Sequence, residues 1–475
     1  MHPPLLRVRA AAPAGGDRRG AEGTGEADSG VVGEGGRVSL TQVAPWLADS
    51  QWPTVPIRLV ARLGSGHTPS RSNPEYWRDC TIPWITLADV WQLRSNQVDF
   101  ITETKEKISK LGEANSAAVR HPAGTVILSR TASVGFSAIM GRDMATSQDF
   151  ATWTCGPRLD PRFLLHALRA MAPDLKRIAA GSTHKTIYMP DVEQLRVPLP
   201  SLDVQQRIAD FLDTETARFD QVHELRKQQM NMVDEGAISR AYAAVRGEFV
   251  DGPRKDSKLS WIGTVPASWR VAAVSHHFEV ELGKMLNEER AKGQHLRPYL
   301  RVANVQWDHV DVEELAQMNF PPHERRRYRL REGDVLVCEG GSWPGRAAVW
   351  DSQGLEMYYQ KALHRIRPRG TDLPRWLYYC LLVAERLRVF AVQGNASTMT
   401  HLTREQLRPQ RFPFPDPATQ RKLVEKLDAA AQTDREVKDL LQHQLDVLAE
   451  RRQALITAAV TGRLDVTTAR GVEAP

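Results

Sequence analysis

VPLPSLDVQQRIADFLDTETARFDQVHELRKQQ, beginning at Val197, and FPFPDPATQRKLVEKLDAAAQTDREVKDLLQHQ, beginning at Phe412, align without a gap at an offset of 215 residues. Gln205, Leu212, Asp213, Val222, Leu225, Gln229 and Glu235 recur as Gln420, Leu427, Asp428, Val437, Leu440, Gln444 and Glu450. Each run opens on a Pro-x-Pro, Pro198/Pro200 and Pro413/Pro415, which holds the chain extended because a residue before proline avoids the helical region. Ser201 and Asp416 then stand where an N-cap oxygen belongs, and Pro417 suits a first helical position. Both runs close on Ala-Ala-Val and a glycine, Gly247 or Gly462, the stop signal just past a helix. The pattern predicts two helices of about 45 residues, roughly 67 Å long. No single small core hides so long a helix, so the two are expected to pack on each other. Ile208, Leu212, Phe219, Val222 and Val233 mark the expected seam in the first copy. Leu423, Leu427, Val437, Leu441, Leu448 and Leu455 mark it in the second, with heptad-like steps of three and four. Gly236 costs about 1 kcal/mol against alanine and predicts a break in the first helix. Gln229 and Gln444, near the helix centres, read either as exposed residues or as a polar pair that sets register.

The repetition extends upstream. Pro83-Trp84-Ile85-Thr86-Leu87-Ala88-Asp89-Val90 matches Pro298-Tyr299-Leu300-Arg301-Val302-Ala303-Asn304-Val305. The stretch from Gly124 to Leu128 matches that from Gly333 to Val337, and Pro161-Arg162-Phe163-Leu164 matches Pro374-Arg375-Trp376-Leu377. A repeat of so long a period is read before any local motif. The chain is two copies of one unit, a variable globular part followed by a long helix. Short β-type runs (WITL, VILS, VLVCE) lie among Gly/Pro turns, with amphipathic helices near 161–180 and 374–391. The expected class is α+β: two mixed α/β domains in tandem pseudo-repeat, separated by two long helices. Expected limits are a disordered leader or misplaced start at 1–38, a first domain at 39–200, a helix at 201–247 and a charged linker at 248–260. A second domain at 261–415, a helix at 416–466 and a tail at 467–475 complete the chain.

The 475 residues suffice for about three domains. Lys+Arg is 63 against 57 Asp+Glu, a net +6 that permits a polyanionic partner without demanding one. Cys80, Cys155, Cys338 and Cys380 lie far apart without a CxxC and read as reduced, buried thiols of a cytoplasmic protein. No apolar run approaches the roughly 18 residues of a membrane span, and no signal-peptide core is seen. Enzyme motifs are incomplete. Asn73-Pro74-Glu75-Tyr76 lacks the second proline of the Asn-Pro-Pro-aromatic motif of adenine methyltransferases and reads as a turn. His323-Glu324 begins like HExxH, but Arg327 stands where the second histidine must ligate. No GxxxxGK[ST] is present, and His276-His277 has no ligand partners at metal spacing. The chain is therefore expected to be non-catalytic, with no metal of its own.

Several stretches carry a resemblance. In the first domain they are Gly64-Ser65-Gly66-His67-Thr68-Pro69-Ser70, Tyr76-Trp77, Ile82-Pro83-Trp84-Ile85 and Ser147-Gln148-Asp149-Phe150. In the second they are the run from Leu300 to Gln306, Gly333-Asp334-Val335-Leu336-Val337 and Tyr359-Gln360-Lys361-Ala362. Each is weak alone. In this order, with the duplication and the two Pro-x-Pro helices, they resemble the specificity subunits of type I restriction–modification systems over about residues 39–466. Arg130-Thr131-Ala132 departs from that pattern where a glycine is common.

The resemblance implies two target-recognition domains and two helical regions packed as an antiparallel coiled coil. Each domain would read one half of a split, asymmetric site in double-stranded DNA. The helices would space the halves and carry two methyltransferase subunits, and through them restriction subunits. S-adenosylmethionine, ATP and Mg would sit on those partners, with no cofactor in this chain. Two non-identical readers in a two-fold-like chain also call for a bipartite, non-palindromic site on geometric grounds.

Candidate DNA-binding residues of the first domain are His67, Thr68, Ser70, Arg71, Arg130, Thr131, Ser133, Gln148, Ser182, Thr183 and Lys185. Those of the second are Lys284, Arg301, Asn304, Gln306, Ser342, Arg346, Gln360, Lys361, Asn395, Ser397 and Thr398. Any one of them alone reads as solvated surface. Together they supply forks for guanine, amides for adenine and hydroxyls for phosphate. Trp343 beside Gly340-Gly341 reads as a turn-packing aromatic in preference to a groove wedge. Two other functions remain open on sequence alone. A stand-alone DNA-binding regulator would bind tightly without partners, and a coiled-coil scaffold would show no salt-dependent DNA affinity.

Overall fold

The computed structural model describes residues 44–93, 98–180, 185–287, 291–341, 343–351, 354–392 and 401–466. The expected leader and tail lie outside them. Four helices frame the chain: α1 (Pro161–Ala170), α2 (Leu202–Arg246), α3 (Pro374–Arg386) and α4 (Pro417–Val460). The two long ones have 45 and 44 residues. The break expected at Gly236 is absent. A glycine's cost of about 1 kcal/mol is small beside the packing that holds both ends of a helix. Gly247 takes a φ of 70° and stops α2, where a Cβ would lie 2.5 Å from Pro266. Asp416 caps α4 by accepting from the N–H groups of Ala418 and Thr419, at 3.0 and 3.1 Å. Ser201 holds the same position on α2, but its side chain makes no capping bond.

Three sheets occur twice with the same strand order. The largest runs Ala61–Ser65, Phe150–Cys155, Val126–Ser129, Ser137–Met140, with Phe100–Ile101 added at its edge. Its counterpart runs Phe278–Leu282, Leu363–Pro368, Val335–Cys338, Ala347–Val349. A second sheet sets Ile82–Ile85 between antiparallel Glu106–Ile108 and parallel Ala145–Thr146. Its counterpart sets Leu296–Leu300 between antiparallel Ala316–Asn319 and parallel Tyr358–Tyr359. The third pairs the entry of each globular part with its exit, Thr54–Pro56 with Arg196–Pro198 and Arg270–Ala273 with Arg411–Phe414. The segment expected as a linker is structured: Arg254–Asp256 pairs with Thr264–Pro266. The Arg254 guanidinium donates to the Arg246 and Gly247 carbonyls at 2.8 and 3.2 Å. These carbonyls end α2 without an intrahelical partner.

Each core is closed by both long helices. Ile208 and Leu212, early in α2, and Ile456, Ala459 and Val460, at the end of α4, belong to the first core with Trp153 and Phe163. Leu423, Val424 and Leu427, early in α4, and Ala241, Ala244 and Val245, at the end of α2, belong to the second with Trp269 and Trp376. Each helix thus starts in one core and ends in the other. Ion pairs follow the same sense: Asp220 with Arg452 at 3.4 Å, Asp234 with Lys438 at 2.8 Å, and Arg240 with Asp434. The seam is thinner than the sequence suggests. No residue of α2 between Thr216 and Ala241 is buried, and Val222 is 39% exposed. Gln229 and Gln444 do not pair, because the Gln229 carbonyl oxygen accepts from Arg226 of its own helix at 2.7 Å.

The recurring polar residues have a structural job. Fully buried Gln205 accepts from the Asp160 N–H and donates to the Arg158 and Pro200 carbonyls, all at 2.9 Å. Gln420, also fully buried, accepts from the Leu373 N–H at 2.8 Å and donates to Asp372 and the Pro415 carbonyl at 2.6 and 2.9 Å. About two turns on, Asp213 holds Arg162 and His166 of α1 at 3.0 and 2.7 Å. Asp428 holds Arg375 and Tyr379 of α3 at 2.7 and 2.6 Å. These pairs lock each helix to the globular part before it. All four cysteines are free, but only Cys338 and Cys380 are buried; Cys80 and Cys155 are half-buried.

Candidate nucleic-acid interface

Strand register gathers the polar loops at one end of each large sheet. Ser65 pairs with Ala151 and Ser129 with Phe150, so residues 66–72, 130–136 and 147–149 emerge together. Residues 185–187 join them, with Thr131 bridged to Thr186 and the Ile187 N–H donating to the Arg130 carbonyl at 2.8 Å. In the second half Leu282 pairs with His364 and Cys338 with Leu363, so 283–287, 339–341, 343–346 and 360–362 emerge together. There the Leu402 N–H donates to the Glu339 carbonyl at 2.7 Å. Gly66 and Gly283 mark equivalent close crossings: a Cβ would stand 1.8 Å from the Thr146 carbonyl oxygen at one and 2.2 Å from that of Gln360 at the other.

Many of the expected residues meet at these ends. Thr68 donates to the Gln148 side chain at 2.7 Å, and Arg130 donates to the Gln148 carbonyl at 2.6 Å. Ser133 and Thr131 lie half-buried on the same loop, while His67 and Lys185 are exposed beside it. Ser70 bonds the Ser72 hydroxyl at 2.7 Å. Arg71 pairs with Glu106 at 2.7 Å and covers the Trp77 ring at 4.0 Å. In the second half Arg346 donates to Gln306 at 3.0 Å, and Gln360 and Lys361 flank the bridge to Lys284. Arg301 is exposed. Ser182, Thr183, Ser342, Asn395, Ser397 and Thr398 lie outside the described residues.

Two expectations need correction. Lys284 is only 3% exposed: its ammonium donates to the Asn319 carbonyl at 2.5 Å and pairs with Glu324. Asn304 is 4% exposed, accepting from the Arg301 N–H at 3.0 Å and donating to the Asp311 carbonyl at 3.2 Å. Both are framework residues, since a buried polar group must spend its bonds internally. Trp343, expected to pack, is 49% exposed. Asn73 is a turn residue as expected, its side chain accepting from the Glu75 N–H at 3.2 Å. His277 has a partner that spacing hid, Asp372 at 2.7 Å. Among the described residues no three His, Cys, Asp or Glu side chains gather to hold a metal, and no helix is long and apolar enough to cross a membrane.

One residue at the second loop end was missed. Glu339 stands where Arg130 stands in the first half. Its N–H donates to the Ala362 carbonyl as that of Arg130 does to Asp149, and its carbonyl accepts from Leu402 as that of Arg130 does from Ile187. Burial raises the Glu339 carboxyl above the usual range, against the pull of Lys361 and His401. The two loop ends therefore carry different groups at equivalent positions, a guanidinium fork in one and a carboxyl in the other.

Comparison with known proteins agrees with this arrangement. Residues 49–232 match the type I restriction modification DNA specificity domain. The specificity subunit of the type I restriction enzyme MjaIX of Methanocaldococcus jannaschii is 25% identical over 54% of this chain and 58% of its own length. That of EcoR124I/EcoR124II of Escherichia coli is 27% identical over 34% of this chain and 40% of its own. Over these stretches the chain is similar to type I specificity subunits. The matched region spans about half the length of these relatives. A chain from a solved structure describing assembly and conformational transition of a type I restriction–modification system superposes with a TM-score of 0.63 at 19% identity. It covers 87% of this chain and 98% of its own, which extends the fold likeness, with its mixed helices and strands, over the second half.

The second loop end is tied down by a buried histidine. His364 is fully buried and donates from Nε2 to the Leu402 carbonyl at 2.7 Å. Burial holds its imidazole below the ordinary value, with Arg404 in support and the Leu402 bond and Glu405 opposed. In the unfolded chain it titrates near 6.5, so below about that pH the unfolded state takes up the extra proton. This contribution is complete above the unfolded value and is lost as pH falls toward the folded one. The melting temperature should drop between pH 7 and pH 5, and His364→Gln, which keeps a donor to Leu402, should drop less. Equal drops for the two proteins would exclude His364 as a source.

Proposed function

We propose that this chain is the DNA-sequence-recognition subunit of a type I restriction–modification complex and performs no catalytic step itself. Each loop end reads one half of a bipartite, asymmetric site in double-stranded DNA. The long helices form an antiparallel coiled coil that spaces the two halves. They also dock methyltransferase subunits, which bring the methyl donor, and through them the restriction subunits with ATP and Mg. The observation that carries this reading is the duplication itself. One strand order recurs with two differently furnished loop ends, Arg130 in one and Glu339 in the other. Docking on the helices is supported by apolar side chains left open along their middles, Leu225 at 51%, Met232 at 61% and Leu440 at 57% exposed. Exposed apolar surface of this kind marks interaction sites.

The test is co-expression with methyltransferase subunits followed by sequencing of methylated sites. Replacing residues 52–196 by a homologous domain should change one half-site and leave the other intact. Lys185→Gln should weaken binding at the first half-site only, by about 1–3 kcal/mol if it meets a base and with a shallower salt dependence if it meets a phosphate. Methylation by the purified chain alone, or simultaneous change of both half-sites, would contradict the reading.

A further inference from the structure

A run of arginines lies outside the loop ends. Residues 325–331 read Arg-Arg-Arg-Tyr-Arg-Leu-Arg, five arginines in seven positions, on the helix Pro322–Tyr328 and the turn after it. Arg327 is spent on Glu281, its Nε at 2.8 Å, and Arg325 donates to the Phe320 carbonyl at 3.2 Å. Arg326, Arg329 and Arg331 are exposed, and no carboxylate among the described residues lies within ion-pair distance of them. Glu356 lies beside them, its carboxyl held low by the Tyr358 hydroxyl and then by Arg329, Arg297 and Arg325. Arg297, Arg325, Arg326, Arg329 and Arg331 against Glu332 and Glu356 leave a surplus of about three positive charges, half the chain's net +6, on one flank.

Its place in the fold gives the patch a direction. The helix starts beside the loop end, where Glu324 pairs with Lys284, and runs along the strand Leu363–Pro368. Arg365 and Arg367 of that strand donate to the Arg327 and Arg329 carbonyls at 2.9 and 3.4 Å. The arginines thus climb from the loop end up the flank. They edge a shallow depression of about 560 Å³ in which Leu355 is the exposed large apolar residue. A protein partner seeks a broad apolar centre inside a polar rim, and a single exposed leucine does not supply one. A phosphate backbone seeks guanidinium forks without one. The equivalent helix of the first half, Lys110–Ala114, has no such cluster, and Arg120 beside it is paired with Glu113 at 2.8 Å.

We infer that Arg326, Arg329 and Arg331 form a sequence-independent clamp on the sugar–phosphate backbone flanking the second half-site, without counterpart in the first. The inference rests on the DNA-recognition reading and adds an asymmetry to it: the second half grips the duplex electrostatically more than the first. The experiment uses the complex with its methyltransferase subunits, the wild type against Arg326→Gln/Arg329→Gln/Arg331→Gln. Duplexes carry the target with long flanks, or end just outside either half-site. Each lost phosphate contact lowers the slope of log affinity against log salt by about 0.9. The triple variant should lose about two to three from that slope and methylate an unchanged sequence. Trimming the flank outside the second half-site should do the same to the wild type, while trimming the first should not. An unchanged slope overturns the clamp. Loss of methyltransferase from the purified variant overturns it too, and reassigns the patch to a protein partner. A wild-type complex that methylates no bipartite site instead overturns the recognition reading beneath it.

Discussion

A complex whose long helices are each lengthened by seven residues, after Gln229 and after Gln444, should methylate the same two half-sites with a spacer longer by one to three base pairs. The two insertion points lie near the level at which Asp234 meets Lys438. Seven residues make nearly two turns, so the faces that meet Arg452, Lys438 and Asp434 keep their alignment. The pair grows by about 10 Å. At about 3.4 Å per base pair this is at most about three, and fewer if rotation around the duplex limits the second reader. Lengthening one helix alone should be strongly destabilising. Each helix starts in one core and ends in the other, so a single long helix cannot seat both Ile208 and Val245 while its partner seats Leu423 and Val460. A double-insertion complex that is active with its original spacing, or with altered half-sites, would refute the helices as spacers.

Gln205→Leu and Gln420→Leu should each destabilise the chain by about 3–5 kcal/mol, since an unsatisfied buried donor or acceptor costs about 1–3 kcal/mol. Leucine fills the space but strands three groups at each site. Around Gln205 these are the Asp160 N–H and the Arg158 and Pro200 carbonyls. Around Gln420 they are the Leu373 N–H, Asp372 and the Pro415 carbonyl. The same substitution at exposed Gln229, bonded only to Arg226, should cost little. Denaturant midpoints at unchanged slope measure the difference. A loss below about 1 kcal/mol at both buried sites would show that neighbouring groups or water replace the glutamines.

Much of this protein was legible before any coordinate. The ungapped repeat at 215 residues, Asp416 before Pro417, and Gly247 and Gly462 after Ala-Ala-Val are all local signals. Backbone sterics and capping act within a turn of the residue concerned, so helix limits can be read from neighbours in the chain. The duplication was legible for the same reason: equivalent local signals recur in one order. Tertiary structure decided the rest. Lys284 was lost as a candidate because Glu324, 40 residues on, pairs with its buried ammonium. Asn304 was lost to Asp311, and the linker became a strand by pairing with Thr264–Pro266. Glu339 lies at the same 209-residue offset from Arg130 that aligns Gly333 with Gly124, but beyond it the spacing changes, with six residues between Cys338 and Gly345 against five between Ser129 and Gly135. The N–H of the later glycine donates to the earlier carbonyl in both halves, and that backbone frame shows that Arg130 and Glu339 hold one place. The sense of the long helices also came from packing, through the membership of Val245 and Val460 in opposite cores. Spacing along a chain constrains what a residue does with its neighbours; burial and charge pairing depend on which distant segment packs against it, and spacing does not encode that.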